Sequence, residues 1–421
     1  MNPKQSDRRR FLKGSAVLAG LAVGAIPSAS GQTAGSGPAE SQPKKDSNLY
    51  GERSRFVTSE RLVEHTGGPR KMPFTELLTP LQDSVGIITP AGLHFKNDHT
   101  HVQPQLDPRQ HRLLIHGMVD RPLVFTVEDL QRMPPVSRIH FLECNSNSRP
   151  RRGPEGESIQ AVHGKTSCSE WTGVMLSALL QQAGVKRGAS WLLLEAADPG
   201  KYTKSIPLEK GIEDAMVCYG QNGEPVRPEQ GFPLRMLIPG WDGIGNVKWL
   251  RRVKVVDQPY MGKWESASNA NMRPTGKSRW FLFEMGPKSV ITRPSAGQQI
   301  AGRGYYEITG LAWSGGGVVR RVEVSTDGGR SWKDAQLQAP VLSKAHTRFL
   351  FPWTWDGAET VLLSRCTDEQ GEVQPTLVEL AKIWGVSPDY FGTATTGQDH
   401  VNAIQSWKIA RDGSVHNAMF L

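Results

Sequence analysis

The sequence predicts an α+β chain in which a mixed α/β half is followed by an all-β sandwich of immunoglobulin type. Three observations predict it. Between His111 and Val256 short apolar runs alternate in type, some with the period of a strand and some with that of a helix. Near Lys288 the composition changes and extended runs take over. Within that second part Asp327-Gly328-Gly329 joins two such runs, and glycine supplies the positive φ that a tight hairpin requires.

Taken in order, Leu113 to Gly117 reads as a strand ending at a turn. Phe125 to Met133 reads as a short helix with Thr126 as cap and Asp129 in its first turn. Arg138 to Glu143 is a strand that runs into Cys144. Gly173 to Ala183 reads as a helix, with Val174, Leu176, Leu179 and Leu180 on one side. Trp191–Ala196, Pro233–Ile238 and Val247–Val256 read as strands. In the second part so do Tyr305–Ala312, Val318–Ser325, Phe349–Trp355 and Thr360–Cys366. No internal repeat is present.

The 421 residues suit two or three domains, and a hydrophobic share of 38% against a charged share of 22% provides a core. The formal charge is +9, but Lys4, Arg8, Arg9, Arg10 and Lys13 supply much of it. The remainder is a modest basic balance that favours anionic substrates or partners and lacks the long basic, aromatic-interleaved blocks of a nucleic-acid footprint. Cys144, Cys168, Cys218 and Cys366 form no CxxC, which excludes zinc-ribbon and thioredoxin readings, and no CxxCH, which excludes a c-type haem on this chain.

Residues 1–31 read as an export address. Asp7-Arg8-Arg9-Arg10-Phe11-Leu12-Lys13 carries the arginine pair of the twin-arginine route. The apolar stretch Gly14 to Ile26 that follows is too short for a membrane span, and Ser28, Ala29 and Ser30 offer a cleavage region. That route moves folded proteins, which suits an enzyme whose cofactor is inserted before export, and it implies a periplasmic location. Residues 32–50, rich in Gly, Ser, Pro and Lys, read as a linker.

The chemistry centres on Phe141-Leu142-Glu143-Cys144-Asn145-Ser146-Asn147-Ser148-Arg149. A cysteine at the end of a buried strand, opening a polar loop, is placed to give a soft thiolate ligand to a polarisable metal, although taken alone it reads first as a small buried hydrophobe. Downstream lie His163-Gly164-Lys165-Thr166-Ser167-Cys168-Ser169-Glu170-Trp171-Thr172-Gly173, then Gly231-Phe232-Pro233-Leu234-Arg235, Pro239-Gly240 and Gly245-Asn246-Val247-Lys248-Trp249-Leu250. Trp313-Ser314-Gly315-Gly316 and Val324-Ser325-Thr326-Asp327-Gly328-Gly329-Arg330-Ser331-Trp332 follow in the second part.

In this order and at these separations the segments resemble the sulfite oxidase family of molybdoproteins. They are most similar to its exported bacterial sulfite dehydrogenases and the molybdenum subunit of sulfane dehydrogenases. The resemblance runs from about Arg53 onward. It implies a molybdopterin-binding catalytic domain over 51–287 and an immunoglobulin-like dimerisation domain over 288–421, giving a homodimer.

By position, the resemblance implies Cys144 as the molybdenum ligand and Arg149 and Trp171 as the groups that position an oxyanion. It implies His99, Asn147, Asp198, Arg235, Gly245 and Lys248 as contacts to molybdopterin, whose phosphate wants Arg, Lys and backbone N–H donors. Gly243 and Gly245 would let backbone approach it closely. Outside that framework Lys248 reads as a solvated strand residue, Arg235 as a carboxylate partner and Trp171 as core. Cys168 and Cys218 read as bland buried thiols, and His140, His163, Asp83 and Glu143 have no assigned role.

The activity implied is oxidation of sulfite to sulfate by oxygen-atom transfer, with electrons passing to a separate c-type cytochrome. Two departures bear on it. Asn97 stands where the family carries an arginine, and Asn269 stands near the family's tyrosine, with Tyr260 close enough to replace the phenol. Losing a guanidinium removes a charge-assisted anion contact, which favours a larger, carrier-bound sulfane substrate. Two further readings are a methionine sulfoxide reductase type, which would lack the C-terminal sandwich, and a non-catalytic scaffold that keeps the fold.

Overall fold

Ten residues of strand, Thr166–Met175, form the spine of the first half. They pair antiparallel with Val136–Glu143 on one side and Met216–Gln221 on the other, and Arg235–Leu237 joins the far edge of Met216–Gln221. A second sheet runs in the order Leu123–Thr126, Arg112–Gly117, Leu250–Val256, Trp191–Ala196, Thr203–Pro207, and its pairing of Leu250–Val256 with Arg112–Gly117 is parallel. Helix Leu176–Ala183 fills the space between the sheets with Leu176, Leu179, Leu180 and Ala183, all buried against Leu113, Ile115 and Leu192. These are i, i+3, i+4 and i+7 positions, the apolar stripe of an amphipathic helix.

This computed structural model describes residues 50–65, 75–98, 102–148, 157–268, 270–272, 276–393 and 400–419. The leader 1–31 and all of the linker but residue 50 lie outside them, as do His99, Arg149 and Asn269. Residues 58–421 form one unit; of the preceding unit, the described residues 50–57 hold a turn closed by the Val57 N–H on the Ser54 carbonyl at 2.9 Å. Among the described residues no helix is long and apolar enough to cross a membrane.

The expected cap is present. Thr126 accepts from the Asp129 N–H at 3.0 Å and Asp129 accepts from the Thr126 N–H at 2.9 Å, a reciprocal capping box that starts helix Val127–Arg132. The helix expected from Gly173 begins instead at Leu176. Gly173, Val174 and Met175 complete the long strand because their backbone groups are taken by Met216–Gln221. A Cβ on Gly173 would stand 2.1 Å from the Val217 carbonyl oxygen, so glycine is what permits that approach.

The second half is a sandwich. One sheet runs Lys288–Arg293, Gly304–Trp313, Thr347–Trp355, Gln336–Gln338. The other runs Lys333–Asp334, Val319–Ser325, Thr360–Asp368, Ser406–Ile409, Val415–Asn417. In Thr347–Trp355 the period-2 alternation is plain, with Phe351, Trp353 and Trp355 inward and Pro352 and Thr354 outward. Trp313, Phe349 and Trp407 fill the interior. The core continues into the first half, where Phe141 packs near Trp313 and stacks on His346. The all-β expectation is corrected by two helices, Leu377–Trp384, capped by Thr376 and Glu379, and the short Asp389–Thr393.

The core also holds neutral histidines. Burial pushes the imidazole pKa down from 6.5, to about 3 for His94, His163 and His346 and to about 4 for His140 and His400. Below pH 6.5 the unfolded chain therefore binds protons that the folded chain excludes. Their contribution is complete above pH 6.5 and is lost as pH falls towards 4. Asp242, pushed up to about 7 by burial, acts in the opposite sense, as do Glu76 and Glu265, but His111 and His116 are lowered as well and the histidines outnumber these acids. The unfolding free energy is expected to drop by at least about 2 kcal/mol between pH 7.5 and pH 5. Urea titrations at the two pH values check this, and equal stabilities would refute it.

Candidate active site

Strand Val136–Glu143 sinks progressively into the protein, exposed near its start and buried from His140 onward. The residue it delivers is Cys144, buried at 5% exposure. A tight turn, Asn145–Ser148, follows. The Cys144 N–H donates to the Lys165 carbonyl at 3.0 Å, the Asn147 N–H to the Cys144 carbonyl at 2.9 Å, and the Ser148 N–H to the Val162 carbonyl at 2.9 Å. Ser148 takes a left-handed φ of 60°, rare for a residue with a side chain and held here by its neighbours. The Asn145 N–H reaches Asp242 Oδ1 at 3.1 Å, which ties the turn to the short helix Gly243–Gly245.

The thiol lies at the wall of a cleft of about 670 Å³. Around Sγ stand Ser146 Oγ at 3.2 Å, Asn97 Nδ2 at 3.5 Å and Asn145 Oδ1 at 3.7 Å, all uncharged. Burial pushes the thiol pKa up, with Lys165 acting against it. A metal cation is the species that would bring the missing positive charge and displace the proton.

Two cations line the same cleft, Arg235 buried and Lys248 half-buried. Arg235 donates to the carbonyls of Gln230 at 3.0 Å, Asn246 at 3.3 Å and Met236 at 3.4 Å, and burial lowers its pKa to about 10. Lys248 donates to the carbonyls of Asn97 and Glu229, both at 3.0 Å, and pairs with Asp98; burial lowers its pKa while Asp98 supports the charge. So Lys248 is not a solvated strand residue, and Arg235 is held by carbonyls where a carboxylate was the alternative.

The cleft also contains buried acceptors without a protein partner. His94 faces the Phe95 carbonyl through Nδ1 at 3.0 Å, so that nitrogen carries the proton, and Nε2 is left an acceptor with no hydrogen bond. Asn97 Oδ1 is likewise unpartnered. Unpaired buried acceptors call for a ligand that donates. A soft thiol, acceptors awaiting N–H donors, and cations fit a molybdopterin: metal at Cys144, pterin N–H groups at the acceptors, phosphate towards Arg235 and Lys248. Among the described residues no group of three or more His, Cys, Asp or Glu side chains could hold a metal ion.

Of the residues expected at the site, Cys144, Arg235 and Lys248 line the cleft. Four others do not. Trp171, expected to position an anion, is completely buried. Its indole donates to the His140 carbonyl at 3.3 Å, its face lies 4.7 Å under the Arg235 guanidinium, and His94 meets its ring at 5.8 Å. It supports Arg235 by cation–π contact and is not among the residues that line the described cleft. Asp198 accepts from the Gly200 and Tyr202 N–H groups at 3.1 and 2.9 Å and so shapes the loop that presents Tyr202 to the cleft.

Asn147 bridges Glu143, at 2.8 Å, and the Lys165 N–H, at 3.0 Å, within the cysteine turn. Gly245 is buried beside Ile238, while Gly243 lines the cleft, and its missing side chain makes room for the Glu143 carbonyl oxygen, 2.8 Å from where a Cβ would be. Tyr260 does not restore a phenol. It is 41% exposed and its hydroxyl meets Lys254 at 2.6 Å. The phenol that does line the cleft is Tyr202, donating to the Ile244 carbonyl at 2.9 Å. Tyr202, His94, Gln230 and Asn246 were not legible as site residues, because no local pattern marks them. Cys168, Cys218 and Cys366 are buried free thiols, and burial pushes the first two up to about 12.

Comparison with known proteins agrees with this geometry. Residues 99–264 match the oxidoreductase molybdopterin binding domain and residues 279–391 the Mo-co oxidoreductase dimerisation domain. The chain is 30% identical over 343 residues to the mitochondrial sulfite oxidase of Rattus norvegicus, covering 75% of this chain and 61% of that protein. It is 30% identical over 339 residues to the NADH nitrate reductase of Ulva prolifera, covering 70% of this chain and 38% of that one. It thus spans less than two thirds of either. The solved sulfane dehydrogenase SoxCD from Paracoccus pantotrophus is similar at 37% identity and a TM-score of 0.82, covering 90% of this chain and 95% of that one. The chain belongs to the sulfite oxidase family: it is a molybdenum-cofactor oxidoreductase with a molybdopterin-binding domain followed by a dimerisation domain.

Proposed function

We propose that this chain is the molybdenum subunit of an exported dehydrogenase that oxidises sulfur carried on a partner protein, and that its electrons pass to a c-type cytochrome. The observation that carries this reading is Asn97. It stands 3.5 Å from the Cys144 sulfur, in the place of the arginine that the family uses towards an oxyanion. The described groups bonded to the thiol are neutral, Lys165, whose charge reaches it, is paired with Glu64 and Glu76, and Arg235 and Lys248 would be taken by the cofactor's phosphate. A doubly charged anion such as sulfite gains little from such surroundings, whereas a carrier-bound sulfane with at most a single charge loses less. Similarity to the Paracoccus sulfane dehydrogenase over nearly the whole of both chains supports the same reading.

When bound, the cofactor supplies a two-electron couple and the transfer of a water-derived oxygen to sulfur. The chain's own part is to hold and orient. Cys144 would bind the metal, while His94, Asn97, Arg235 and Lys248 would seat the pterin. Leu142, Ile244 and Val247 give the cleft its apolar wall and keep bulk water out. The arginine run Arg8-Arg9-Arg10 before Phe11-Leu12-Lys13 supports twin-arginine export to the periplasm, and the dimerisation-domain match supports a homodimer.

A second reading, oxidation of free sulfite to sulfate, is favoured by Arg149 and by the similarity to rat sulfite oxidase. The two separate in one assay. Cytochrome c reduction by the loaded enzyme is measured with free sulfite and with a persulfide on a cysteine-containing carrier peptide. A lost charged contact of about 1.5–3 kcal/mol predicts that the persulfide leads in kcat/KM by roughly 10- to 100-fold, and that Asn97→Arg recovers much of the sulfite rate. Sulfite turnover equal to that of the persulfide, unchanged in Asn97→Arg, would reject the carrier-bound reading in favour of the second.

A further inference from the structure

The strand that delivers Cys144 ends in a carboxylate that takes no part in the cleft. Glu143 is fully buried. Its Oε1 accepts from Lys288 Nζ at 2.5 Å and from Asn147 Nδ2 at 2.8 Å, and its Oε2 accepts from Trp313 Nε1 at 2.8 Å. Lys288, itself 1% exposed, donates also to Ser148 Oγ at 2.9 Å. Ser148 then donates to His163 Nδ1 at 2.6 Å, and His163 Nε2 donates to Gln405 Oε1 at 3.1 Å.

The polarity of this chain is settled. Lys288 has only protons to give, and Gln405 presents its oxygen, so each hydroxyl and ring nitrogen between them has one possible role. Lys288, Trp313 and Gln405 all come from the second half, on or beside strands Lys288–Arg293, Gly304–Trp313 and Ser406–Ile409. Glu143 and Ser148 bracket the turn that carries Cys144. The sandwich therefore grips the residue before Cys144 and the last residue of the turn that follows it.

A buried ion pair is an expensive way to hold a fold together, because two desolvated charges gain little over an apolar pair of the same volume. What it supplies is one allowed geometry, since neither partner has another place to put its charge. We propose that Lys288 and Trp313, acting through Glu143 and Ser148, are positioning residues that fix the direction of the Cys144 sulfur, so that the second half sets the metal–thiolate geometry of the first. The inference rests on Cys144 being the thiolate ligand and is independent of which sulfur compound is oxidised.

The test uses the full-length, molybdenum-loaded protein and the variants Lys288→Met, Trp313→Phe and Ser148→Ala. Trp313→Phe deletes one hydrogen bond and Ser148→Ala two, and both leave the ion pair intact, so they guard against a Lys288→Met chain that fails to fold. Asp214→Asn is the control. It cuts another buried cluster, in which Asp214 meets Lys210 at 2.9 Å and Lys344 at 2.7 Å, and that cluster makes no bond to the cysteine turn.

The expected result is wild-type molybdenum content in the three variants, a shifted electron paramagnetic resonance spectrum of the half-reduced metal, and kcat lower by about tenfold with KM little changed. Lys288→Arg should return the spectrum part of the way. Loaded variants with the wild-type spectrum and kcat, differing only in heat stability as Asp214→Asn does, would overturn the proposal. The reading beneath it fails separately: a Cys144→Ser protein that keeps the thiolate signature would show that another group holds the metal.

Discussion

Cys144→Ser is expected to abolish donor-dependent reduction of cytochrome c, a fall of at least roughly 1000-fold, or about 4 kcal/mol of lost transition-state stabilisation. The two side chains have nearly the same shape, so the turn should still form: its backbone bonds to Lys165 and Val162 do not involve the sulfur. The difference is electronic. A thiolate is soft and becomes populated once a cation stands beside it, whereas a serine hydroxyl in the same buried place keeps its proton. The surroundings of Cys144, which hold its pKa up, make that cation necessary.

The other thiols provide the comparison. Cys168 and Cys218 are completely buried and stay out of the cleft. Their serine variants should keep turnover while losing about 1–3 kcal/mol of stability to an underbonded hydroxyl. Turnover retained in Cys144→Ser, or lost in Cys168→Ser at full folding, would move the metal site elsewhere. Purified protein, metal analysis and steady-state rates are sufficient.

Arg235→Met should act on occupancy first. The guanidinium spreads over Trp171 and sends three N–H groups to the carbonyls of Gln230, Met236 and Asn246. No thioether replaces a planar donor fork, and lysine replaces only the charge. Acceptors that lose a charged donor in a buried place should cost about 3 kcal/mol together. The cleft would also lose one of its two cations, the more deeply buried, so the purified variant is expected to carry less than about a tenth of the wild-type molybdenum and pterin, a differential of at least about 1.4 kcal/mol in retention. Arg235→Lys should fall between. Full cofactor content in Arg235→Met, with only the stability reduced, would make Arg235 a structural residue and leave Lys248 as the anchor.

Much of this was written locally. A strand entering Cys144, a cap at Thr126 with Asp129 three residues on, and hairpin glycines between extended runs are decided by neighbours in the chain, so periodicity and turn chemistry reveal them. Arg235 and Lys248 were also visible, through the motifs around them. The helix start was not. Gly173 to Met175 satisfy helical spacing as well as strand spacing, and pairing with Met216–Gln221, more than 40 residues on, decided between them.

The same holds for the site. Trp171 reads as a substrate contact until strand register places it beneath Arg235, and His94 carries no local mark until folding leaves its Nε2 without a partner. Glu143 and His163 had no assignable role in the sequence. Their partners Lys288 and Gln405 lie 145 and 242 residues away, and the bonds between them exist only once the sandwich has closed on the first half. The sequence by itself determined most of the elements and, through the motifs that carry the family resemblance, the thiol and the class of cofactor, because those rest on residue type and order along the chain. Tertiary structure alone decided which polar atoms are buried unpaired in the cleft and which charges are already spent, because burial and pairing are set by contacts between distant parts of the chain.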